Sequence, residues 1–552
     1  MQVDKSQIVN SALWAAYGDA AGFITELAKS TSLVKRRAGI SHVSETIEWK
    51  RKIGGQYGAL AQLPAGCYSD DTQLRLSTCR SLLSSGKFDV EAFSKIELPI
   101  WLSYALGAGR GSKTAASHLS QASVNWNNNF FDVNKRSYFQ CGGNGAAMRI
   151  QPHVWVSSSE TGIDKMVLDV IRNSVCTHGH ARGILGAVFH ANCLDFALKY
   201  NELPPPDEWH SFIRVFSQVP LIMERDTELA SVWLPVWEEE NNGSFGNACQ
   251  QVANECEKDI TILTDIMNSG GKYRDLVSAI GGLEDETRGS GTKTALLAMC
   301  HAWIHKRTPV KDALLEAANL LNSDTDTIAT MSGALLGCVT ATAPTDPLQD
   351  RKYIEQEAIR CWKIRTGQLV ENFKYPDLFG WKPPKTQIEV VRSFENKPFV
   401  IGLGKGSTLG EAFISDGKKP SYWQWIKLDF GQSVLCKRRE NPESISERHG
   451  ALMPSNKKAS ASQNNPGRSH SDMKDTLFDV NASRKNTGNQ SPVRDVHFLT
   501  NEAIHSKFDP TIIGRNLLEL IQKENSVEAA IGYAAIIAKA IASRKDRNGN
   551  SR

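Results

Sequence analysis

Apolar residues recur at helical spacing through most of the first 370 residues, and nothing else in the sequence constrains the fold as much. Ile8, Val9, Ala12, Leu13 and Ala16 share one helical face. The pattern continues at Leu74, Leu82 and Leu83, then at Ile184, Leu185, Val188, Phe189 and Leu194. Leu296, Leu297 and Met299 extend it, as do Ala313, Leu314, Ala317, Ala318 and Leu321. Alternating strand patterns are scarce over the same span. This predicts a large, mostly helical domain over residues 1–370.

The texture changes after Pro376. The stretch 381–384 is Pro-rich and breaks helix. The segments 388–391, 399–403 and 423–430 are short, β-branched or aromatic and partly alternating, which predicts a small β-containing extension over 371–436. Residues 437–495 are poor in apolar side chains and rich in Ser, Asn, Lys and Arg, the composition of a flexible basic linker. Residues 496–552 return to helix: Ile512, Ile513, Leu517, Leu518 and Ile521 form a stripe, and Ser526 with Glu528 opens another helix.

Charge follows this division. The 552 residues carry a net charge of only +4, too small to make nucleic acid or anionic membrane the main partner. From Lys437 onward there are 19 basic and 13 acidic side chains, a net of +6 against −2 for the rest. The extension could therefore favour an acidic or nucleic-acid partner. Eleven cysteines, without a C-x-x-C pair, read as free thiols of a reducing, cytoplasmic compartment. The first residues show no basic and apolar leader pattern, and the longest apolar run, 327–342, is too short and too rich in Gly, Ala and Thr for a membrane span.

Two acidic clusters carry the chemistry. Tyr68-Ser69-Asp70-Asp71-Thr72 and Ser323-Asp324-Thr325-Asp326-Thr327 each precede an apolar helical run, so each sits at a helix N-terminus. Either alone serves as a cap, since Ser and Asp accept from free N–H groups and acids suit the positive end of the dipole. Were the two helix starts to converge, Asp70, Asp71, Asp324 and Asp326 would repel one another unless a cation relieved them. All-oxygen ligation suits Mg²⁺ or Mn²⁺, and no Cys/His spacing supports zinc there.

Four motifs in order make the chain resemble the ADP-ribosylglycohydrolase family, the relatives of dinitrogenase reductase-activating glycohydrolase. They are Gly18-Asp19-Ala20-Ala21-Gly22 followed by Glu26, Ser69-Asp70-Asp71-Thr72, Gly143-Asn144-Gly145-Ala146-Ala147-Met148-Arg149, and Asp324-Thr325-Asp326-Thr327. Ser69 stands where the family usually has Thr, and keeps the hydroxyl. The resemblance spans roughly residues 8–365 and implies an all-α domain with a binuclear Mg²⁺ or Mn²⁺ site. Ser69, Asp70 and Asp71 would ligate from one side, and Asp324, Asp326 and Thr327 from the other. It implies hydrolysis at C1″ of ADP-ribose carried by a modified protein or another acceptor.

Asp70, Asp71 and Asp326 are then candidates to orient or deprotonate water opposite an oxocarbenium-like centre, and Glu26 matches the family's mobile acid. The loop Gly143, Asn144, Gly145, Ala146, Ala147 and Met148 would take the pyrophosphate on backbone N–H groups, with His178 at the ADP-ribose end. His178 and His180 as a metal pair lack a third ligand. Arg149 suits a structural carboxylate as well as a phosphate. Residues 219–270 are expected to contribute loops or helices near the site. Gly402 to Thr408 resembles a nucleotide loop but misses the order of both common motifs, which predicts a tight turn between strands. Two other readings stay open: a protein on the same fold that binds ADP-ribose without turnover, and a different two-metal hydrolase.

Overall fold

The structure is a computed structural model. It describes residues 3–446 and 496–538, apart from 56, 134–135, 159–161, 379, 416–419, 507 and 525–528. Most of the predicted linker and the helix start at Ser526 thus lie outside the described residues. The chain forms two units, residues 1–456 and 457–552.

At the centre of the first unit are two helices buried on nearly every side, α1 (Lys5–Thr25) and α6 (Thr325–Cys338). A helix apolar or small all round belongs inside a protein rather than on its surface. Around them lie α2 (Asp70–Arg80), α3 (Ala181–Tyr200), α4 (Gly291–Ile304), α5 (Val310–Asn319) and α7 (Arg351–Arg365). Asp4 starts α1 with a capping box, accepting from Ser6 N at 2.7 Å while Gln7 Oε1 accepts from Asp4 N at 2.8 Å.

The contact between α1 and α6 is made by absent side chains. A Cβ on Gly18 would lie 2.3 Å from Ala329 O, one on Gly22 2.4 Å from Thr325 O, one on Gly333 2.5 Å from Trp14 O and one on Gly337 2.5 Å from Asn10 O. The pairing runs antiparallel with a four-residue step on both helices. Hydroxyls close the remaining gaps: Ser11 Oγ donates to Ala334 O at 2.8 Å, Thr330 Oγ1 to Ala15 O at 2.7 Å and Thr325 Oγ1 to Gly22 O at 3.0 Å. This register sets the C-terminus of α1, at Glu26, beside the N-terminus of α6.

The helical body also holds an antiparallel hairpin, β1 (Trp49–Ile53) and β2 (Ala59–Leu63), where no strand is expected. Its inward side chains on β2 include Ala59 and Ala61, while Leu60 points out and is 62% exposed, so the sequence hides the alternation.

Beyond α7 five strands form an antiparallel sheet in chain order: β3 (Val391–Phe394), β4 (Lys397–Val400), β5 (Gly404–Ile414), β6 (Tyr422–Leu428) and β7 (Ser433–Arg438). The turn at 401–403 leads directly into β5, so the glycine-rich Gly402–Thr408 stretch is turn and strand. The sheet belongs to the first unit. Arg80 of α2 pairs with Glu97 at 2.7 and 2.8 Å and donates to Gln432 Oε1 at 2.6 Å, while Tyr375 OH donates to Glu97 at 2.7 Å. Both members of the ion pair are fully buried and hydrogen-bonded, which makes breaking it costly.

In the second unit, α8 (Val496–His505), α9 (Pro510–Glu524) and a helical stretch at 529–538 share a small core of Leu499, Ala503, Leu520, Ala530, Tyr533 and Ile537. Leu520, Leu517 and Ile513 serve this core, whereas Leu518 and Ile521 of the predicted stripe are exposed. Among the described residues all eleven cysteines are free, and no helix is long and apolar enough to cross a membrane.

Buried histidines give the fold a pH signature, His153 and His190 among them. His153 and His190 are 2% and 1% exposed, and burial pulls both down to about 3. They fold uncharged, whereas the unfolded chain binds a proton at each below about pH 6.5. Their contribution is therefore intact above pH 6.5 and drains away as pH falls toward 3, by up to about 1.4 kcal/mol per pH unit each. His190→Gln is expected to reduce the fall of stability between about pH 6.5 and 5 by one such slope in denaturant titrations. An unchanged slope would contradict this.

Candidate active site

The first acidic cluster opens α2. Ser69 is the N-cap, its hydroxyl accepting from Asp71 N at 3.2 Å, and Asp70 and Asp71 occupy the first turn. The capping reading is thus correct for Ser69 but leaves the two carboxylates free of that duty. The opening is tied to α1 by Asp19, whose two oxygens accept from Ser69 N and Thr72 N, each at 2.8 Å. Asp19 is fully buried and pins α2 to α1, just as Gly18 and Gly22 pin α6 to α1. The first motif is thereby the bracket that brings the other two together.

The second cluster opens α6 with Asp324 as N-cap residue, its side chain making no capping bond. Instead Asp324 Oδ2 accepts from Asn144 Nδ2 at 2.8 Å. Asp326 Oδ1 accepts from Thr327 N at 3.0 Å. Glu26 ends α1, and its carboxylate meets Arg51 of β1 at 2.8 Å; Arg51 lies over the Phe23 ring at 4.5 Å.

These groups share one cavity of about 1020 Å³, lined by Glu26, Asp70, Asp71, Asp324, Asp326 and Thr327 and by Gly143, Asn144, Gly145, Met148 and His178. Ser69 is fully buried behind Asp70. Arg110, Arg136 and Arg288 add cationic wall, with Arg288 paired to Asp285 at 2.9 Å. Residues 219–270, expected nearby, contribute no lining residue among those described.

The glycine loop is held on both flanks. Asn144 N donates to Gly289 O at 3.0 Å and Gly291 N to Gly142 O at 2.9 Å, so the Asn144 amide is already engaged. Ala146 and Ala147 are fully buried behind the loop and line no part of the cavity. Arg149 pairs with no carboxylate among the described residues. Its guanidinium, fully buried, donates to Gly145 O, Asn173 Oδ1 and O, and Thr177 Oγ1, each at 2.8 Å, and so fixes the loop to the segment before α3. His178 Nδ1 lies 2.7 Å from Thr177 Oγ1, and burial drops its pKa to about 3, leaving a neutral ring against Gly145. His180 is no metal partner for it: His180 caps α3, accepting from Arg182 N at 3.1 Å.

Electrostatically the cavity floor is overloaded with acid. Burial raises Asp70, Asp71 and Asp326 well above the ordinary carboxylate range, and neighbouring carboxylates push each further. Glu26 is raised by burial too, with Arg51 opposing and Asp324 reinforcing. Asp71 Oδ2 is a buried oxygen with no hydrogen-bond partner. Carboxylates crowded with one oxygen unsatisfied are what a hard divalent cation relieves, so the residues present fit Mg²⁺ or Mn²⁺. Asp19 and Arg51 have no role assigned from the sequence, and Asn144, expected to serve the pyrophosphate by its backbone N–H, holds Asp324 through its side-chain amide. Each acts through a partner 50 or more residues away, or, for Arg51, through an unrecognised strand.

A family model described as ADP-ribosylglycohydrolase matches residues 2–368. No curated protein matches the chain. Among solved structures, one described as an ADP-ribosylglycohydrolase-related protein complex is 18% identical with a TM-score of 0.40, over 65% of this chain and 98% of that one.

Proposed function

The chain belongs to the ADP-ribosylglycohydrolase family, and from that premise we propose a metal-dependent hydrolase of the glycosidic bond at C1″ of ADP-ribose. It would release ADP-ribose from a modified protein or another acceptor. The observation that carries this reading is the convergence of both acidic helix starts, the glycine loop and His178 on one cavity.

Ser69, Asp70 and Asp71 would hold two Mg²⁺ or Mn²⁺ ions from one side, and Asp324, Asp326 and Thr327 from the other. When bound, such ions neutralise the carboxylates, supply Lewis acidity and lower the pKa of water. Asn144 orients Asp324 through its amide N–H. Asp70, Asp71 and Asp326 would orient or deprotonate an attacking water, and Glu26 would gate the cavity or act on the substrate. Thr177 Oγ1 accepts from Arg149 and lies against both Ser174 O, at 3.5 Å, and His178 Nδ1, at 2.7 Å, which holds the ring in place. His178 would present the Nε2 edge of its neutral ring to the sugar or phosphate. The arginines of the wall supply charge for the pyrophosphate. Eleven free cysteines suit a cytoplasmic setting, and the basic stretch after Lys437 an acidic or nucleic-acid partner.

The test is incubation of the full chain with ADP-ribosylated protein and Mg²⁺, with and without chelator. Release of intact ADP-ribose that chelator stops is the expected result. AMP as product would replace the reading with a different two-metal hydrolase, and tight binding without product would make the chain a binding protein.

A further inference from the structure

A second cluster with metal-ligand character lies away from the acidic cavity. His301, near the end of α4, and His305, its C-cap, are four residues apart and so share a helix face; Glu316 of α5 lies opposite. One ligand atom from each falls within 4.8 Å of the others, and none of the three lines the acidic cavity.

Each histidine has one nitrogen held by a carbonyl or hydroxyl oxygen; the other is unpartnered in His301 and faces a carboxylate in His305. His301 is fully buried; its Nε2 lies 3.0 Å from Ala313 O, and its Nδ1 is sealed from solvent with no partner. His305 Nδ1 lies 3.3 Å from Thr308 Oγ1, while its Nε2 makes no hydrogen bond and meets Glu316 Oε2 at 2.5 Å. A ring nitrogen held by a backbone carbonyl or hydroxyl, with the other turned toward the ligand position, is how metal-binding histidines are oriented. The two rings stand 4.7 Å apart, and Tyr273, whose hydroxyl is also buried without a partner, packs its ring 4.6 Å from His301.

We propose that His301 Nδ1, His305 Nε2 and the Glu316 carboxylate form a second cation site, for a borderline divalent ion of the Zn²⁺ class. Two imidazoles and one carboxylate suit zinc and not Mg²⁺, which prefers oxygen donors. Burial pulls His301 down to about 3, so its ring is neutral and competent as a ligand at neutral pH. With metal–ligand distances of about 2.0–2.2 Å and tetrahedral angles, His305 Nε2 and the Glu316 oxygen would stand about 3.3 Å apart. Glu316 must therefore move back by less than an ångström. Its side chain is 47% exposed, so it is free to do so, and the ion has a path from solvent. An ion there would clip the end of α4 to α5 across the 306–309 connection, shortly before the chain enters the second acidic cluster.

The test uses the full chain, reduced, with excess Mg²⁺ present for the acidic cavity and Zn²⁺ alone as the probe, read by competition with a chromophoric chelator. Wild type and Asp324→Ala are expected to take up one tight equivalent. His305→Ala and Glu316→Gln should bind it at least about 100-fold more weakly, since loss of an outer-shell partner alone costs about 10–100-fold. Both changes fall on partly exposed side chains; should His305→Ala not fold, Glu316→Gln decides. Absence of a tight equivalent in wild type, or its retention in the folded variants, leaves an ordinary histidine–glutamate ion pair and overturns the proposal. A loss of zinc only in Asp324→Ala would overturn it as well, assigning the ion to the acidic cavity.

Discussion

Replacing Asp71 or Asp324 with alanine is expected to abolish turnover while the helical fold persists. Asp71 Oδ2 has no partner within the protein, so little is lost from the folded chain when it goes. Removing one of several mutually repelling carboxylates relieves the others, and thermal stability without divalent ions should hold or rise. Stability with Mg²⁺ should behave oppositely. A ligand at 100 times its Kd stabilises the folded state by about 2.7 kcal/mol, and the variants should forfeit most of that rise in Tm. A cation contributing several kcal/mol to the transition state corresponds to a fall in kcat/KM of about 10²–10⁴. Steady-state kinetics with paired melting curves checks all three. Normal turnover in either variant would remove the acidic clusters from the mechanism, whatever the fate of the His301–Glu316 proposal.

The clusters themselves were readable because helix starts are local: a Ser or Asp cap with acids in the first turn is visible in five consecutive residues. The family resemblance added which clusters belong together. What could not be read is what makes them meet. Gly18 and Gly22, and Gly333 and Gly337, are each four apart in the sequence, but that these two pairs face each other is a tertiary fact. The same holds for Asn144, whose partner Asp324 lies 180 residues away. A contiguous motif also invites the assumption that all of it touches ligand; Ala146 and Ala147 instead fill the core behind the loop. Among the strands, aromatic and β-branched content located the sheet. Its edges differ because Gln387–Glu389 winds into a short 3₁₀ turn and 401–403 is a turn.

Gly22→Ala tests the bracket itself and should be strongly disruptive for so small a change. In a helix interior, alanine is ordinarily favoured over glycine by about 1 kcal/mol, and Gly22 has no special backbone angle to protect. Here the new Cβ would sit 2.4 Å from Thr325 O and 2.5 Å from Asp326 Cα, both backbone atoms of a helix start that cannot rotate aside. The helices must part, at a cost of about 1–3 kcal/mol or more beyond the lost propensity gain. Because the displaced backbone is that of Asp326, the second acidic cluster moves away from the first, and the Mg²⁺-dependent rise in Tm should fall along with activity. Gly514→Ala in α9, where a Cβ meets nothing within 4 Å, supplies the control for propensity alone and should be neutral or stabilising. If Gly22→Ala matches that control in stability and keeps its response to Mg²⁺, close approach of α1 and α6 is not what aligns the two acidic helix starts.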